Sequence, residues 1–338
     1  MKTVGLLIAL TVGFSSLLVG ENEGKFKVLM QNGGEFQVDE ELDINGFLTA
    51  YRSNIMVPVC EKGVCYNVNI IFHWNIIGEF EKYETMDGFP LTKLDHVLFE
   101  PTDYKKLQNI LRSQDLRFTG MTASELVKNE KLDGLSGATL EAIKSEVIEG
   151  ALFTCHTLWQ VANGAVVDSI HASTSQQLDN TLIQRIAALC SNKAYYFIIN
   201  NLSSSQFREN LTTIAGMIKD GKGYFPKHAF EKIPKELFND EAFQKFIINE
   251  YSNFSYYTQL AVLKKLTGAA LSLSTQNMLL GQIDNLSNSQ NIMLLNLLIA
   301  SGEKEILLKL TKLVASKIVK LSPVQKQELS SKTTILNP

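Results

Sequence analysis

Apolar and polar residues alternate over residues 66–75, with Ile71 as the exception, which predicts a half-buried β-strand. One face carries Tyr66, Val68, Ile70, Phe72 and Trp74. An apolar run at 55–59 predicts the strand before it, with Lys62-Gly63 as the hairpin turn between the two. Residues 25–43 are predicted to form weak strands or a loosely ordered lead-in, and a further strand is predicted over 76–83, with a bend or bulge at Gly78.

The spacing becomes helical after residue 101. A helix is predicted to begin at Thr102-Asp103, because Leu107, Ile110 and Leu111 follow at three- and four-residue steps. Thr122 to Glu125 has the form of a capping box. A long helix is predicted over 140–162, ended by Asn163-Gly164. Strands followed by helices predict an α+β domain over residues 21–165.

The second half of the chain has helical spacing from Ser173 onward. Helices are predicted over 178–189, 194–199, 211–218, 242–251, 256–266, 275–286, 291–299 and 305–321. The tail after Gln327 is predicted to fray. Short breaks between helices indicate an all-α domain over 170–338, built as antiparallel helix pairs or a short solenoid. The predicted fold is therefore an α+β domain followed by an all-α domain.

The N-terminus is typical of a secretory signal peptide over residues 1–20. Met1-Lys2 is basic, Gly5 to Val19 is apolar, and a polar segment follows Gly20. An uncleaved membrane anchor is the alternative. No second apolar run of about 18 residues follows, so the mature chain is expected to be secreted or periplasmic and not membrane-spanning. The net charge of −3 gives no electrostatic reason to expect a nucleic-acid partner.

Four cysteines are too few for a disulfide framework in a chain of 338 residues. Cys60 and Cys65 flank the predicted hairpin turn, where a small disulfide is expected; two unpaired thiols or a redox-active pair are the alternatives. No metal site is predicted, because no further ligands converge there. Cys155 and His156 are expected to be a core thiol and a core or surface histidine. Lys93, Asp95 and His96 form a polar loop that lines a site or is simply solvated.

The strongest indication of chemistry is the stretch from Asp133 to Thr139, with the sequence DGLSGAT. Its small residues allow a ligand to approach the backbone closely. Thr139 lies at the predicted start of a helix, whose free N–H groups and dipole favour an anion such as phosphate. The alternative is a structural turn in which Ser136 or Thr139 caps the helix and binds nothing.

This stretch resembles the flavinylation motif of FMN-binding domains, found in the C and G subunits of sodium-pumping NADH:quinone reductases and related electron-transport complexes. All seven positions match the family pattern, although Glu141 stands where members often carry Thr or Ser. The resemblance implies that a flavin transferase joins FMN through its phosphate to Thr139. It also implies that Asp133 and Ser136 contact the transferase or shape the turn. The small residues Gly134, Gly137 and Ala138 would leave room for the cofactor.

Three functions follow, in order of preference. The first is a secreted or periplasmic flavoprotein that passes electrons to a redox partner protein, with no catalytic residue of its own. The second is a secreted, non-catalytic binding or scaffold protein with an FMN-binding-like fold and no flavin. The third is an enzyme that uses Cys60 and Cys65 as a redox pair. Trp74, Tyr83 and Phe89 are the aromatic side chains that could stack on a flavin ring, with core packing as their alternative.

Overall fold

The computed structural model describes residues 24–29, 34–61, 64–93, 96–121, 125–126, 145–283, 288–301 and 303–335. Contacts divide the chain into two units between His171 and Ala172. The first unit combines a β-sheet with helices, and the described residues of the second unit are helical. The predicted order of an α+β part followed by an all-α part is therefore confirmed. No helix in these ranges is long and apolar enough to cross a membrane.

The sheet of the first unit is a five-stranded antiparallel meander in the order β1-β2-β3-β4-β5. Its strands are β1 Lys25–Leu29, β2 Glu35–Leu42, β3 Leu48–Glu61, β4 Val64–Asn75 and β5 Phe80–Thr85. The β3–β4 register runs from Ala50 opposite Asn75 to Glu61 opposite Val64. The weak patterns over 25–43 thus belong to two strands, and the alternation in β4 buries Val68, Ile70, Phe72 and Trp74.

The strand predicted over 76–83 begins only at Phe80, which corrects the prediction. Residues 76–78 form the turn between β4 and β5, with Gly78 at φ +74. The side-chain oxygen of Asn75 accepts hydrogen bonds from the N–H groups of Ile77 (3.0 Å) and Glu79 (2.9 Å). This local side-chain bonding favours a turn over continued strand pairing, and the apolar run does not reveal it.

The described part of the first unit also contains the α-helices α1 Pro101–Arg112, α2 Leu152–Asn163 and α3 Ala165–Gln176, and the division between the units falls within α3. A 3-10 helix covers Arg117–Gly120. Helix α1 is confirmed, with Leu107, Ile110 and Leu111 buried. Helix α1 packs against α2 and along β5, and α2 packs on β3, so the core lies between the sheet and these two helices.

The helix predicted over 140–162 is interrupted in its described part: residues 145–146 and 152–162 are helical, but the continuity between them is wrong. Residues 147–151 are not helical, Gly150 has φ +72, and α2 begins at Leu152. Val147, Ile148 and Ala151 are nevertheless buried, so the apolar stripe continues through a turn and imitates a helix. The predicted end is confirmed, because α2 stops at Asn163 with Gly164 as its C-cap.

The second unit contains consecutive helices that pack on near neighbours in sequence. They are α4 Asn180–Ala187, α5 Asn192–Asn201, α6 Ser204–Glu209, α7 Leu211–Asp220, α8 Phe225–Lys232, α9 Glu241–Glu250, α10 Tyr256–Leu266, α11 Leu273–Leu280, α12 Asn288–Ser301, α13 Lys304–Ala315 and α14 Pro323–Ile335. Short 3-10 helices cover Lys235–Asn239 and Tyr251–Asn253. The frayed tail was a wrong prediction in its described part, since α14 covers residues 328–335, and the helix predicted over 305–321 ends already at Ala315.

Candidate functional site

The motif Asp133–Thr139 lies outside the described residues, together with the first three residues of the predicted capping box, 122–124. All six residues assigned to FMN belong to this segment: Asp133, Gly134, Ser136, Gly137, Ala138 and Thr139. The described chain on either side shows how its surroundings are built. Leu126 before it and Val147 and Ile148 after it are buried, with exposed fractions of 2%, 4% and 1%.

The chain that follows the motif is held by two basic residues. Lys106 Nζ of α1 donates a hydrogen bond to the carbonyl of Val147 at 2.5 Å. The backbone N–H of Arg117 donates to Glu146 Oε2 at 2.8 Å, and the Arg117 Nε lies 3.6 Å from Glu146 Oε1. Residues 146–147 are therefore connected both to α1 and to the 3-10 helix.

Helix α2 stabilises the same region with side-chain donors. Trp159 Nε1 donates to the Ser113 carbonyl at 2.8 Å, and Asn163 Nδ2 donates to the Leu111 carbonyl at 2.9 Å. These acceptors lie at the end of α1, where backbone carbonyls lack helical partners. The bonds anchor α1 to α2 and replace the water that would otherwise solvate those carbonyls.

His156 is a buried residue of α2. Its Nε2 lies 2.8 Å from the carbonyl oxygen of Met121, so this nitrogen carries the proton and donates. Burial lowers the pKa of His156, while the bond to Met121 acts in the opposite direction. The expected core histidine is thus observed, and its partner lies immediately before the segment that leads to the motif.

A second polar cluster lies where β4, the loop after β5 and α2 meet. The Tyr66 hydroxyl donates to the Thr92 carbonyl at 3.0 Å and lies 2.6 Å from Thr154 Oγ1. The Tyr66 ring contacts the exposed ring of His96 edge-on, with centroids 6.1 Å apart. The Thr92 hydroxyl is buried and has no hydrogen-bond partner among the described residues.

In the predicted polar loop, Lys93 and His96 lie in different environments. Lys93 Nζ lies 2.7 Å from Asp103 Oδ2 in α1. Burial acts to raise the pKa of Asp103, but the bonds from Lys93 and from the Glu100 N–H hold it below its ordinary value. Lys93 therefore anchors the loop to α1. Asp95 lies outside the described residues, and His96 is exposed with a left-handed φ of +63.

The structure distinguishes cysteines that form a disulfide from those that are free thiols. Cys60 and Cys65 are exposed partners across β3 and β4, joined by a disulfide of 2.08 Å, and residues 62–63 of the turn lie outside the described chain. Cys155 is a free, buried thiol, as expected, and burial raises its pKa to about 11. A thiol with that pKa stays protonated at neutral pH and is a poor nucleophile.

Two of the three aromatic residues that could stack on a flavin ring already make contacts inside the first unit. Trp74 is fully buried and stacks on Phe72 at 5.6 Å, while its Nε1 donates to the Ala162 carbonyl at 2.8 Å. The Tyr83 hydroxyl donates to the Tyr104 carbonyl at 2.9 Å. Phe89 is 42% exposed and is the most exposed of these three residues.

Comparison with known proteins gives no assignment, because no protein family, no curated protein and no solved structure matches the chain. Among the described residues, no cluster of histidine, cysteine and acidic side chains has the arrangement of a metal site. The candidate site is therefore the motif segment together with its described frame, formed by α1, the 3-10 helix and α2.

Proposed function

We propose that the chain is an extracytoplasmic flavoprotein that carries FMN covalently on Thr139 and transfers electrons to a redox partner. The observation that carries this proposal is the seven-position motif from Asp133 to Thr139. A flavin transferase would form a bond between the FMN phosphorus and the Thr139 Oγ1. The leaving group of the flavin nucleotide donor and the hydroxyl proton depart, so attachment itself involves no oxidation or reduction.

Two features support the extracytoplasmic part of the proposal. The first is the apolar N-terminal run that follows Met1-Lys2, which is typical of a signal peptide. The second is the exposed disulfide between Cys60 and Cys65. Exposed disulfides persist in oxidising compartments and are rare in the cytosol, where thiols are kept reduced. A covalent link would keep the flavin with the protein outside the cytoplasm.

The motif segment also begins and ends in a well-anchored frame. The buried residues Leu126 and Val147, and the bond from Lys106 to the Val147 carbonyl, hold the chain on both sides of it. A chain that is anchored on both sides of the motif suits a modification enzyme, which must reach one oxygen atom while the domain stays folded. This arrangement favours attachment after folding.

Intact mass and visible absorbance test the proposal directly. The full chain is expressed with a flavin transferase and exported to the periplasm. We expect a mass gain of one FMN less one water, together with flavin absorbance, and Thr139→Ala should abolish both. Thr102→Ala is the matched control, because Thr102 is an exposed threonine in the first turn of α1 and lies outside the motif. This variant should keep its flavin.

An unshifted mass in the wild-type chain would contradict the proposal, provided that a flavinylated domain is labelled in the same cells. Circular dichroism of Thr139→Ala should match wild type, so that loss of flavin is separated from loss of fold. If the wild-type chain stays colourless, the second function, a secreted binding or scaffold protein without flavin, is favoured instead.

A further inference from the structure

Positive charge is concentrated where the last two helices meet. We name residues 312–326, which comprise the last turn of α13, the connection and the first turn of α14, the terminal corner. It carries Lys312, Lys317, Lys320 and Lys326, and residues 306–327 contain no acidic residue. All four lysines are exposed. The corner therefore presents four ammonium groups, two of them in the connection, Lys317 and Lys320, and one in the adjoining turn of each helix.

The conformation of the corner is well defined. Helix α13 ends in a Schellman motif, in which Ile318 N–H donates to the Leu313 carbonyl at 3.1 Å and Lys317 N–H donates to the Val314 carbonyl at 3.0 Å. Lys317 has φ +59, a conformation that glycine adopts most easily. Helix α14 is capped by Ser322, whose Oγ accepts from Gln325 N–H at 3.2 Å.

Buried and exposed side chains alternate along the connection, so that one of its sides is buried and the other is in contact with solvent. Val319 and Leu321 are buried, with exposed fractions of 4% and 8%. Ile318, by contrast, is 58% exposed, and Val324 at the start of α14 is 72% exposed. Two aliphatic side chains thus stand in solvent among the lysines, while their neighbours anchor the chain to the helices.

The lysines of the corner differ from other lysines in these two helices. Lys309 pairs with Glu305 at 2.6 Å, and Lys332 lies 3.8 Å from Glu328. No ion pair joins a lysine of the corner to any residue that the structure describes. Their charge is therefore available to an external anion.

We propose that the terminal corner docks the protein on an anionic lipid surface. Ammonium groups beside exposed aliphatic side chains suit lipid phosphates and the adjoining acyl boundary. A protein partner fits less well, because protein interfaces are enriched in Tyr, Trp and Arg and depleted in Lys, and residues 303–335 contain no aromatic residue and no arginine. The surrounding unit adds to the attraction, with 18 basic against 12 acidic residues over 172–338.

Vesicle sedimentation tests this docking on the chain from residue 21 onward, without flavin, so that the result is independent of the proposed cofactor. Vesicles containing phosphatidylglycerol should bind the protein at low salt, and vesicles of phosphatidylcholine alone should not. Binding should weaken as salt is raised, because the charges are exposed. Lys317→Glu combined with Lys320→Glu should lower the partition coefficient by about 25-fold or more, since each lysine near such a surface contributes about fivefold.

Two further variants separate the corner from charge in general. Ile318→Ser combined with Val324→Ser should weaken binding while leaving its salt dependence in place. Lys222→Glu combined with Lys232→Glu changes the net charge equally at exposed positions elsewhere in the unit, and binding should stay within about twofold. Equal losses in both lysine variants, or equal binding to both kinds of vesicle, would overturn the proposal. Circular dichroism establishes that each variant is folded.

Discussion

Individual side chains of the first unit act mainly as bridges between elements that are distant in sequence. Trp74 donates from β4 to the Ala162 carbonyl near the end of α2, and His156 bonds the Met121 carbonyl. The alternation in β4 predicts that Trp74 is buried, and helical spacing predicts the same for Cys155. Periodicity shows which face of a strand or helix is buried, but it does not show which residue a buried side chain contacts. The contacts that surround the candidate site were therefore not predictable from the sequence.

The buried histidines make stability dependent on pH in a defined direction. Burial lowers the pKa of His156 below the ordinary value of about 6.5, and burial and then Lys82 lower that of His73. The unfolded chain consequently takes up these protons first as the pH falls. Their contribution to the free energy of unfolding is complete above about pH 6.5 and is lost as the pH falls through the lowered pKa values.

We therefore expect the free energy of unfolding, measured with urea, to decrease between pH 7.5 and pH 5. His156→Gln should lower the stability at pH 7.5 and make this decrease shallower. His96→Gln, at an exposed position, is the control for replacing a histidine, and its stability at pH 7.5 should stay within about 0.5 kcal/mol of wild type. Parallel curves for His156→Gln and wild type would show that His156 does not contribute to the pH dependence.

The elements were predicted best where local caps and apolar spacing agree. Helix α10 has its predicted bounds, Tyr256–Leu266, because Ser255 caps its start. Helix α14 was missed, since its largely polar sequence buries little beyond Gln325 and Leu329 and gives no apolar stripe. Its Ser322 cap could have revealed it. The break before α2 was missed because Gly150 turns a chain whose buried residues keep helical spacing.

The β3–β4 hairpin provides a test at the scale of an element. Its disulfide closes a loop with a sequence separation of five. Cross-linking a loop this short restricts the unfolded chain only moderately, so combining Cys60→Ser with Cys65→Ser should lower the free energy of unfolding by about 2 kcal/mol. Urea denaturation followed by circular dichroism measures this change. Cys190→Ser, at an exposed free thiol, should stay within about 0.5 kcal/mol of wild type.

For the whole molecule, the net charge of −3 is an average over two very different units. Residues 1–171 contain 14 basic and 23 acidic residues, whereas residues 172–338 contain 18 and 12. Alternation followed by helical spacing was sufficient to predict the fold class. The charge difference becomes clear once the contacts divide the chain. An anionic surface would attract the second unit and repel the first, so the units should respond differently to lipid.

Limited trypsin digestion tests where lipid contacts the full chain. Lys317 and Lys320 lie in the non-helical connection of the terminal corner, and Lys222 lies in another exposed connection, between α7 and α8. Cleavage after all three should be readily detected without lipid, because exposed non-helical segments are preferred sites of proteolysis. Phosphatidylglycerol vesicles should slow cleavage after Lys317 and Lys320 and leave cleavage after Lys222 unchanged.

Mass spectrometry of a digestion time course measures each cleavage separately, and phosphatidylcholine vesicles serve as the control for general effects of lipid on trypsin. Uniform slowing at all three sites would indicate inhibition of the protease, and unchanged rates would contradict contact at the corner. Selective slowing, by contrast, requires the lipid to cover the corner while the basic residue at the other connection stays accessible. Total positive charge does not explain that outcome, because Lys222 belongs to the same basic unit as the protected lysines.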